Sequence, residues 1–325
     1  MQAADRVRVT AQLVDTRSGQ VLWSGRFDEA LQDVFALQDA ITTQIVRALA
    51  VQVTEIEQRR VFAKPTESLE AYDYVLRARP ALQRPTRANN VEARALLRRA
   101  IELDTNYAAA YAAFADTYHI ATAMGWAESP NAFLGRAEEL ATKALSLGAS
   151  DVRARVILSR IHVLHQRYRE AEEEIERAIA INPNDAQSLA GRGNILMWLG
   201  QTDAAIEALE QALRIDPILT PIDRFALSFA YYLKGRYDRA ADLAERNLRE
   251  TPGAHFSRVL LAAAYAQQDR PEDAARVGAA IRRLDPTFDS QTFGSKFLNM
   301  RDLEHLREGL RKAHLYPPAG LPQSK

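Results

Sequence analysis

Between Leu189 and Ala212, apolar residues recur every three or four positions in two runs that a glycine separates. This spacing places each run on one face of a helix, so the pattern predicts two amphipathic helices. Gly200 lies where the first helix should end, because glycine readily adopts the left-handed conformation that closes a helix C-terminus. Gly235 stands 35 residues later in an equivalent position. The pattern therefore predicts a repeated unit of two helices.

Prolines mark the period of this unit. Four prolines in similar contexts, Pro183, Pro217, Pro252 and Pro286, are separated by 34, 35 and 34 residues. Each proline should stop the second helix of a unit, and a neighbouring polar residue such as Asp185 can cap the next helix. Self-similarity at this period indicates a stacked array of helix pairs.

Small residues occur where the helices of a pair should touch. Ala171 and Ala178 are seven apart, as are Ala205 and Ala212. Residues seven apart share a helix face, and alanine there lets a neighbouring helix approach closely. One unit carries the whole set of small, aromatic and proline positions: Ser228, Tyr231, Gly235, Tyr237, Ala240 and Pro252.

This combination resembles the tetratricopeptide repeat, and the match is strongest from residue 151 to residue 286. The resemblance implies a mainly α fold, a right-handed α-solenoid of about six helix pairs spanning residues 63–298. Leu303, Leu306 and Leu310 then form the apolar stripe of a C-terminal capping helix over residues 299–316, with a tail at residues 317–325.

The first sixty residues follow a different pattern. Apolar residues alternate from Val7 to Leu13 and from Val21 to Phe27, which predicts a β-hairpin. A helical stripe then runs from Val34 to Ile56. A hairpin and one helix bury little surface, so residues 1–62 are expected to be part of an α/β domain. The hairpin's unpaired edge makes self-association into a homo-oligomer a further expectation.

This N-terminal text resembles the end of the small α/β domain, similar to the amino-terminal domain of TolB, that precedes tetratricopeptide repeats in many bacterial signalling proteins. Such proteins often begin with a class III adenylate cyclase domain or a winged-helix DNA-binding domain. The resemblance implies a carboxy-terminal regulatory region. It does not imply cyclase activity, because the family's nucleotide and metal aspartates belong to a domain with no matching text here.

Composition narrows the function further. Lys and Arg together number 42, as do Asp and Glu, so no net charge attracts nucleic acid or an anionic membrane. The absence of cysteine excludes disulfides and thiolate nucleophiles. The longest apolar run, Val259 to Ala266, is far shorter than the ~20 residues of a membrane span. We therefore expect a cytoplasmic protein with no membrane span, no catalytic residues, no metal and no cofactor.

The first helices of stacked pairs present a concave surface, which is the expected binding site. With the family's geometry, the residues projected onto this peptide-binding groove are Arg153, Arg160, Asn194, Trp198, Phe225, Phe229 and Tyr232. In the alternative interpretation, the aromatic residues among them fill the core between repeats. Trp126, in the long insertion between two helices, either makes a second contact with a partner or covers the helix junction.

The sequence thus predicts a non-catalytic interaction module that binds a protein or peptide partner, or an N-terminal effector domain outside this chain. Two alternatives stay open: a C-terminal fragment of an adenylate cyclase whose catalytic domain is absent from this chain, or a fragment of a winged-helix transcriptional regulator. Nothing in the chain is basic enough for DNA recognition.

Overall fold

The computed structural model of the chain describes residues 6–14, 21–30, 38, 41, 66–148, 151–285, 288–290 and 299–315. The chain divides into two compact units, Met1–Leu69 and Glu70–Lys325.

The first unit contains the predicted hairpin. Strand β1 (Arg6–Val14) pairs antiparallel with β2 (Val21–Ala30). Val9 lies opposite Phe27 on the half-buried face, whereas Arg8 and Asp28 form an ion pair of 2.7 Å on the other face. Alternation along a strand sends neighbouring side chains to opposite faces, which is why the sequence pattern identified this element. The predicted helical stripe from Val34 to Ile56 lies outside the described residues, apart from two isolated positions.

The second unit is a series of helices. Within the described residues there are thirteen, namely α1 (Leu69–Gln83), α2 (Arg87–Leu103), α3 (Ala108–Ala123), α4 (Pro130–Leu147), α5 (Val152–Leu164), α6 (Tyr168–Ile181), α7 (Ala186–Trp198), α8 (Thr202–Ile215), α9 (Pro221–Leu233), α10 (Tyr237–Glu250), α11 (His255–Gln267), α12 (Pro271–Leu284) and α13 (Met300–Lys312). They form six pairs followed by one last helix, in a solenoid of the predicted type. The odd-numbered helices α1 to α11 are the first members of the pairs.

The glycines and prolines stand at the ends of the helices, as predicted. Gly200 and Gly235 adopt φ values of +78° and +70°, each two residues after the last residue of α7 or α9. Helices α6, α8 and α10 each end two residues before a proline of the repeat. The fourth proline, Pro286, lies outside the described residues. Gln166 and Asp269 adopt the same left-handed backbone, with φ of 58° and 55°, where other units have glycine.

The predicted small residues lie at the closest helix crossings. The four alanines at 171, 178, 205 and 212 are fully buried. A Cβ atom on Gly193 would lie 2.5 Å from Leu209 Cγ and 3.0 Å from the carbonyl oxygen of Ala205. No larger residue fits there unless α7 and α8 move apart, because protein interiors are close-packed.

Helix α13 covers the end of the array, as predicted. Its apolar stripe of Leu303, Leu306 and Leu310 is buried, and its exposed side carries charged residues. The helix packs against α11 and also reaches α9. Tyr232 of α9 donates a hydrogen bond from its hydroxyl to the carbonyl oxygen of His305 at 3.1 Å.

Candidate functional site

A pocket opens on the face formed by the first helices of the pairs, which we call the inner face. Its walls come from five successive first helices, α3, α5, α7, α9 and α11. It encloses about 650 Å³, part of which is open solvent. The lining residues are His119, Ala123, Met124, Arg160, Val163, Leu164, Asn194, Trp198, Pro221, Ile222, Phe225, Ala254, His255, Phe256 and Ser257.

Side-chain caps fix where three of these helices begin. Asp151 and Asp185 accept hydrogen bonds of 2.8 Å from backbone N–H groups three residues further on, and Thr220 accepts one of 3.2 Å. Such caps satisfy amides that have no partner inside the helix. Arg160 and Asn194 both stand nine residues after their caps, so the repeat brings them to equivalent positions on α5 and α7.

Four of the seven predicted groove residues line this pocket: Arg160, Asn194, Trp198 and Phe225. Arg153 is not among the lining residues, and its Nη1 atom lies 3.8 Å from Asp116 Oδ2. Whether a ligand binds these residues stays a prediction.

Phe229 and Tyr232 are corrections to the predicted groove, because both side chains are fully buried. Phe229 stands nine residues after Thr220, equivalent to Arg160 and Asn194, but it packs behind Trp198 and Phe225 with centroid distances of 6.1 and 5.4 Å. Tyr232 is covered by α13, where the His305 ring stacks on it at 4.9 Å. For these two residues, the alternative interpretation as core aromatics is correct.

The floor of the pocket contains a buried ion pair. Arg160 Nη2 donates to both carboxylate oxygens of Asp223, at 2.8 and 3.1 Å. The exposed fractions of the two side chains are 6% and 2%. Thr220 Oγ1 donates a further hydrogen bond of 2.6 Å to Asp223. Asp223 therefore compensates the charge of Arg160, and the hydrogen bonds hold its carboxylate in a fixed position. Because both side chains are buried, solvent screens their attraction only weakly.

A second polar group lies beside this pair on α3. His119 Nδ1 is 3.5 Å from Asp116 Oδ1, and both residues are buried. Burial alone would raise the pKa of Asp116, but the contact with His119 and the charges of Arg160 and Arg153 outweigh it, so the pKa falls below its usual range. Asp116 is therefore ionised, and its charge is balanced by basic neighbours.

Hydrogen-bonding capacity in the pocket is left over. The Asn194 side chain is 8% exposed and makes no hydrogen bond with any described residue. Arg160 Nε is a buried nitrogen without a hydrogen-bond partner in the described part of the chain, and His119 Nδ1 makes only the long 3.5 Å contact with Asp116. A buried polar group without a partner costs about 1–3 kcal/mol. All three residues line the pocket, and unused hydrogen-bonding capacity in the lining of a pocket is typical of a ligand site.

The upper wall is aromatic. Phe225 packs against Phe256 with a centroid distance of 6.1 Å, and Phe256 is 41% exposed. His255, beside it, has a pKa below its usual value because of burial, although Asp285 opposes the shift. Exposed aromatic rings next to polar groups give apolar contact and orientation together, the combination found in ligand pockets.

Comparison with known proteins assigns part of this helical array to a repeat family. The tetratricopeptide-repeat family matches residues 122–186 and 186–218. Residues 122–218 are tetratricopeptide repeats. The fold extends beyond them: the Cut9–Hcn1 hetero-tetramer of the APC/C superposes with a TM-score of 0.52 at 16% identity, covering 86% of this chain and 54% of that chain. At this identity the likeness shows the fold alone.

Two relatives with longer chains match parts of this chain. A 111-residue stretch is 40% identical to a Rhizobium meliloti protein named "Putative adenylate cyclase 3", covering 34% of this chain and 19% of that protein. A 188-residue stretch is 27% identical to the transcriptional regulator HilA of Salmonella typhimurium, covering 57% of this chain and 34% of that protein. The matches thus span about a fifth and a third of these relatives.

Sequence reasoning missed Phe256, His255 and His119. Phe256 and Ile222 occupy the same place in two helix pairs, two residues after the residue that precedes the first helix. That shared place was the available signal, because the predicted groove residue Arg153 also stands two residues after the cap Asp151.

Trp126 lies against a distant turn. A Cβ atom on Gly253 would be 3.7 Å from Trp126 Cζ2, so the indole packs on the turn between α10 and α11. The insertion after α3 therefore covers the junction between α10 and α11, and the sequence did not show which junction Trp126 would cover.

Among the described residues, none of the helices is long and apolar enough to cross a membrane. In the same part of the chain, no three His, Cys, Asp or Glu side chains are grouped as metal ligands.

Proposed function

We propose that the helical unit is a non-catalytic protein-interaction module that binds a segment of a partner protein in the inner-face pocket. The observation that carries this proposal is the combination of an exposed aromatic wall with a buried polar floor whose hydrogen-bonding capacity is unused. The tetratricopeptide fold supports an interaction module in general. The lining of the pocket supports placing the contact there.

The chemistry of the pocket suits a peptide. Trp198, Phe225 and Phe256 surround space for an apolar side chain, and burial of one such side chain contributes about 1.5–3 kcal/mol. The Asn194 carboxamide has a donor and an acceptor, which together match the two polar groups of a peptide unit. These residues stand on helices rather than on loops, so little ordering is required when a partner binds.

The names of the relatives support a regulatory role. One is named as an adenylate cyclase and the other as a transcriptional regulator. Similar chain segments in proteins of two such different outputs favour regulation over a shared reaction. We propose that the module regulates a signalling protein, with a partner in trans or an effector domain N-terminal to it. Because a transcriptional regulator acts on DNA, we propose that the module works in the bacterial cytoplasm.

A second candidate follows from the same relatives: the chain is the C-terminal part of an adenylate cyclase or of a winged-helix regulator. The coding sequence upstream of the Met1 codon tests it. An in-frame cyclase or winged-helix domain there would make that domain the first partner to examine. A stop codon and a ribosome-binding site would favour a partner in trans.

Affinity capture tests the binding site. The full chain, a Trp198→Ala/Phe225→Ala variant and a Leu284→Ala control are used as baits in a lysate of the source organism. Leu284 is 59% exposed on α12 and does not line the pocket, so it controls for the loss of a surface apolar side chain. We expect the pocket variant to lose partners that the control retains. Equal recovery by all three baits would contradict the proposal.

Self-association through the hairpin edge stays a prediction. Size-exclusion chromatography with light scattering would test it, and a monomer at micromolar concentration would exclude it.

A further inference from the structure

The charge arrangement of the pocket differs from that of a site built for an acidic ligand. Arg160 is the basic side chain on the floor, and its Nη2 atom already bonds both oxygens of Asp223. A guanidinium that binds a ligand carboxylate usually offers a bidentate face to it. In this pocket one nitrogen of that guanidinium, Nη2, is taken by the Asp223 carboxylate, which compensates the charge of Arg160.

The neighbouring charges are also balanced. Asp116 lies between His119 and Arg153, at 3.5 and 3.8 Å. The charged groups near the floor are thus two arginines and two aspartates, with one histidine. A carboxylate that entered the pocket would lose its water without gaining a free cation, and burial of an unpaired charge is strongly unfavourable.

The side chain of Asn194 suits a neutral ligand. Asn194 has a carboxamide without a hydrogen bond to any described residue, and it lies beside Trp198 in the lining. An amide binds another amide without any change of charge. The aromatic wall above it, formed by Trp198, Phe225 and Phe256, favours an apolar side chain.

We infer that the pocket selects an uncharged peptide segment with an apolar anchor side chain, and that Asp223 sets this specificity by neutralising Arg160. The anchor lies against Trp198, Phe225 and Phe256, and a backbone amide next to it bonds Asn194. Acidic anchors and free C-terminal carboxylates are rejected. This inference rests on the proposed function and names the chemistry of the partner.

Replacing Asp223 should reverse the selection. In an Asp223→Asn variant, the side chain keeps its size and can still accept a hydrogen bond from Thr220, but it no longer carries the charge that compensates Arg160. The guanidinium then becomes the unpaired cation of the pocket, so a ligand carboxylate gains a partner. Asp203→Asn is the matched control, because it removes the carboxylate of the exposed Lys234–Asp203 pair on another surface.

The probe is a displayed library of random peptides, selected against the full wild-type chain, the Asp223→Asn variant, the Asp203→Asn control and the Trp198→Ala/Phe225→Ala variant. Wild type and control should enrich uncharged apolar anchors and deplete Asp and Glu at least tenfold relative to the unselected library. The Asp223→Asn variant should enrich acidic residues about tenfold relative to wild type, a factor that corresponds to ~1.4 kcal/mol. Circular dichroism confirms that each variant is folded.

The outcomes separate the two proposals. Enrichment of acidic peptides by wild type, or the same selection by wild type and a folded Asp223→Asn variant, would overturn the inference and leave the binding pocket in place. No enrichment by wild type beyond that of the Trp198→Ala/Phe225→Ala variant would overturn the proposed function and the inference with it. If Asp223→Asn does not fold, the wild-type selection alone tests the inference: depletion of Asp and Glu supports it, and their enrichment overturns it.

Discussion

The inner face of the array has two halves that differ in what covers them. In the open half, around Trp198, Phe225 and Phe256, aromatic rings line a pocket that solvent enters. In the covered half, Tyr232 and its neighbours lie under α13, and Tyr232 is fully buried. The repeat pattern presents aromatic residues to the same face in both halves.

This difference teaches that a place in a repeat determines where a side chain points, but not whether it is free to bind. In the covered half, the chain itself supplies the contact: Tyr237 Oη lies 2.8 Å from His305 Nε2, and His305 stacks on Tyr232. In the open half, the described residues leave Phe256 41% exposed. Aromatic residues of the first helices therefore stabilise the fold in one half and stay partly exposed in the other.

The largest expected effect comes from truncating one aromatic in each half. Tyr232→Ala should lower the free energy of unfolding by about 3–5 kcal/mol, because it leaves a cavity under α13 and removes a hydrogen bond. Phe256→Ala should change it by less than about 0.5 kcal/mol, since the ring is partly in solvent. Urea denaturation measures both. Similar losses for the two variants would show that the halves do not differ.

A smaller effect is expected from the ion pair of the open half. Asp223→Ala should cost about 3 kcal/mol of stability, because it leaves the Arg160 charge buried without a partner. Removing both partners, as Arg160→Met with Asp223→Leu, should recover most of that loss. Denaturant unfolding of the single and double variants measures the coupling. If the loss in the double variant equals the sum of the single losses, the two side chains are not coupled, and the expected cost of an unpaired Arg160 charge is contradicted.

The covered half should also respond to acid. Burial lowers the pKa of His305 below its usual value of 6.5 and Lys312 adds to the effect, whereas Glu308 and Asp302 oppose it. The folded state therefore holds His305 neutral, and the unfolded chain takes up a proton first. Stability should fall as the pH is lowered from about 6.5 through the folded-state pKa. Thermal unfolding at pH 7.5, 6.5 and 5.5 measures this loss.

Two variants isolate the contribution of His305. His305→Gln should be less stable than wild type at pH 7.5 but show a weaker dependence on pH. His165→Gln, at an exposed histidine outside the covered half, should keep the wild-type dependence. An unchanged pH profile in His305→Gln would contradict the assignment.

The smallest effect is expected where both halves share the same strained turn. Gln166 in the open half and Asp269 after α11 have φ values of 58° and 55°, a conformation that favours glycine. Gln166→Gly and Asp269→Gly should each raise stability by ~0.5 kcal/mol, the relief of strain exceeding the added entropy of the unfolded chain. Calorimetry measures both shifts. Equal gains would show that the two halves have the same turn geometry and differ only in whether α13 packs over them.

Much of the fold could be predicted from the sequence because local signals set it. The spacing of Pro183 and Pro217, the left-handed Gly200 and the paired alanines are properties of short segments, and the structure has each where the pattern placed it. The hairpin was equally predictable, because Val9 and Phe27 alternate with polar residues on strands of matching register.

The site was less predictable because its accessibility depends on distant segments. Tyr232 is 73 residues from His305 in the chain, and no local pattern at either residue reveals their contact. Arg160 and Asp223 are 63 residues apart. Asn194 and Trp198 were predictable because their place on a first helix follows from the repeat. Phe256 was missed although the predicted Arg153 stands at the same place in its own repeat, two residues after Asp151.

The Arg160–Asp223 pair joins the third helix pair to the fifth and passes over the fourth. Trp126 likewise joins the loop after α3 to the turn before α11. In a solenoid where each unit touches only its neighbours, the ends can fray while the middle persists, and the units behave as a one-dimensional chain. Contacts that join units two or more apart change that behaviour. The helix pairs that they connect should unfold together in one cooperative step rather than one after another.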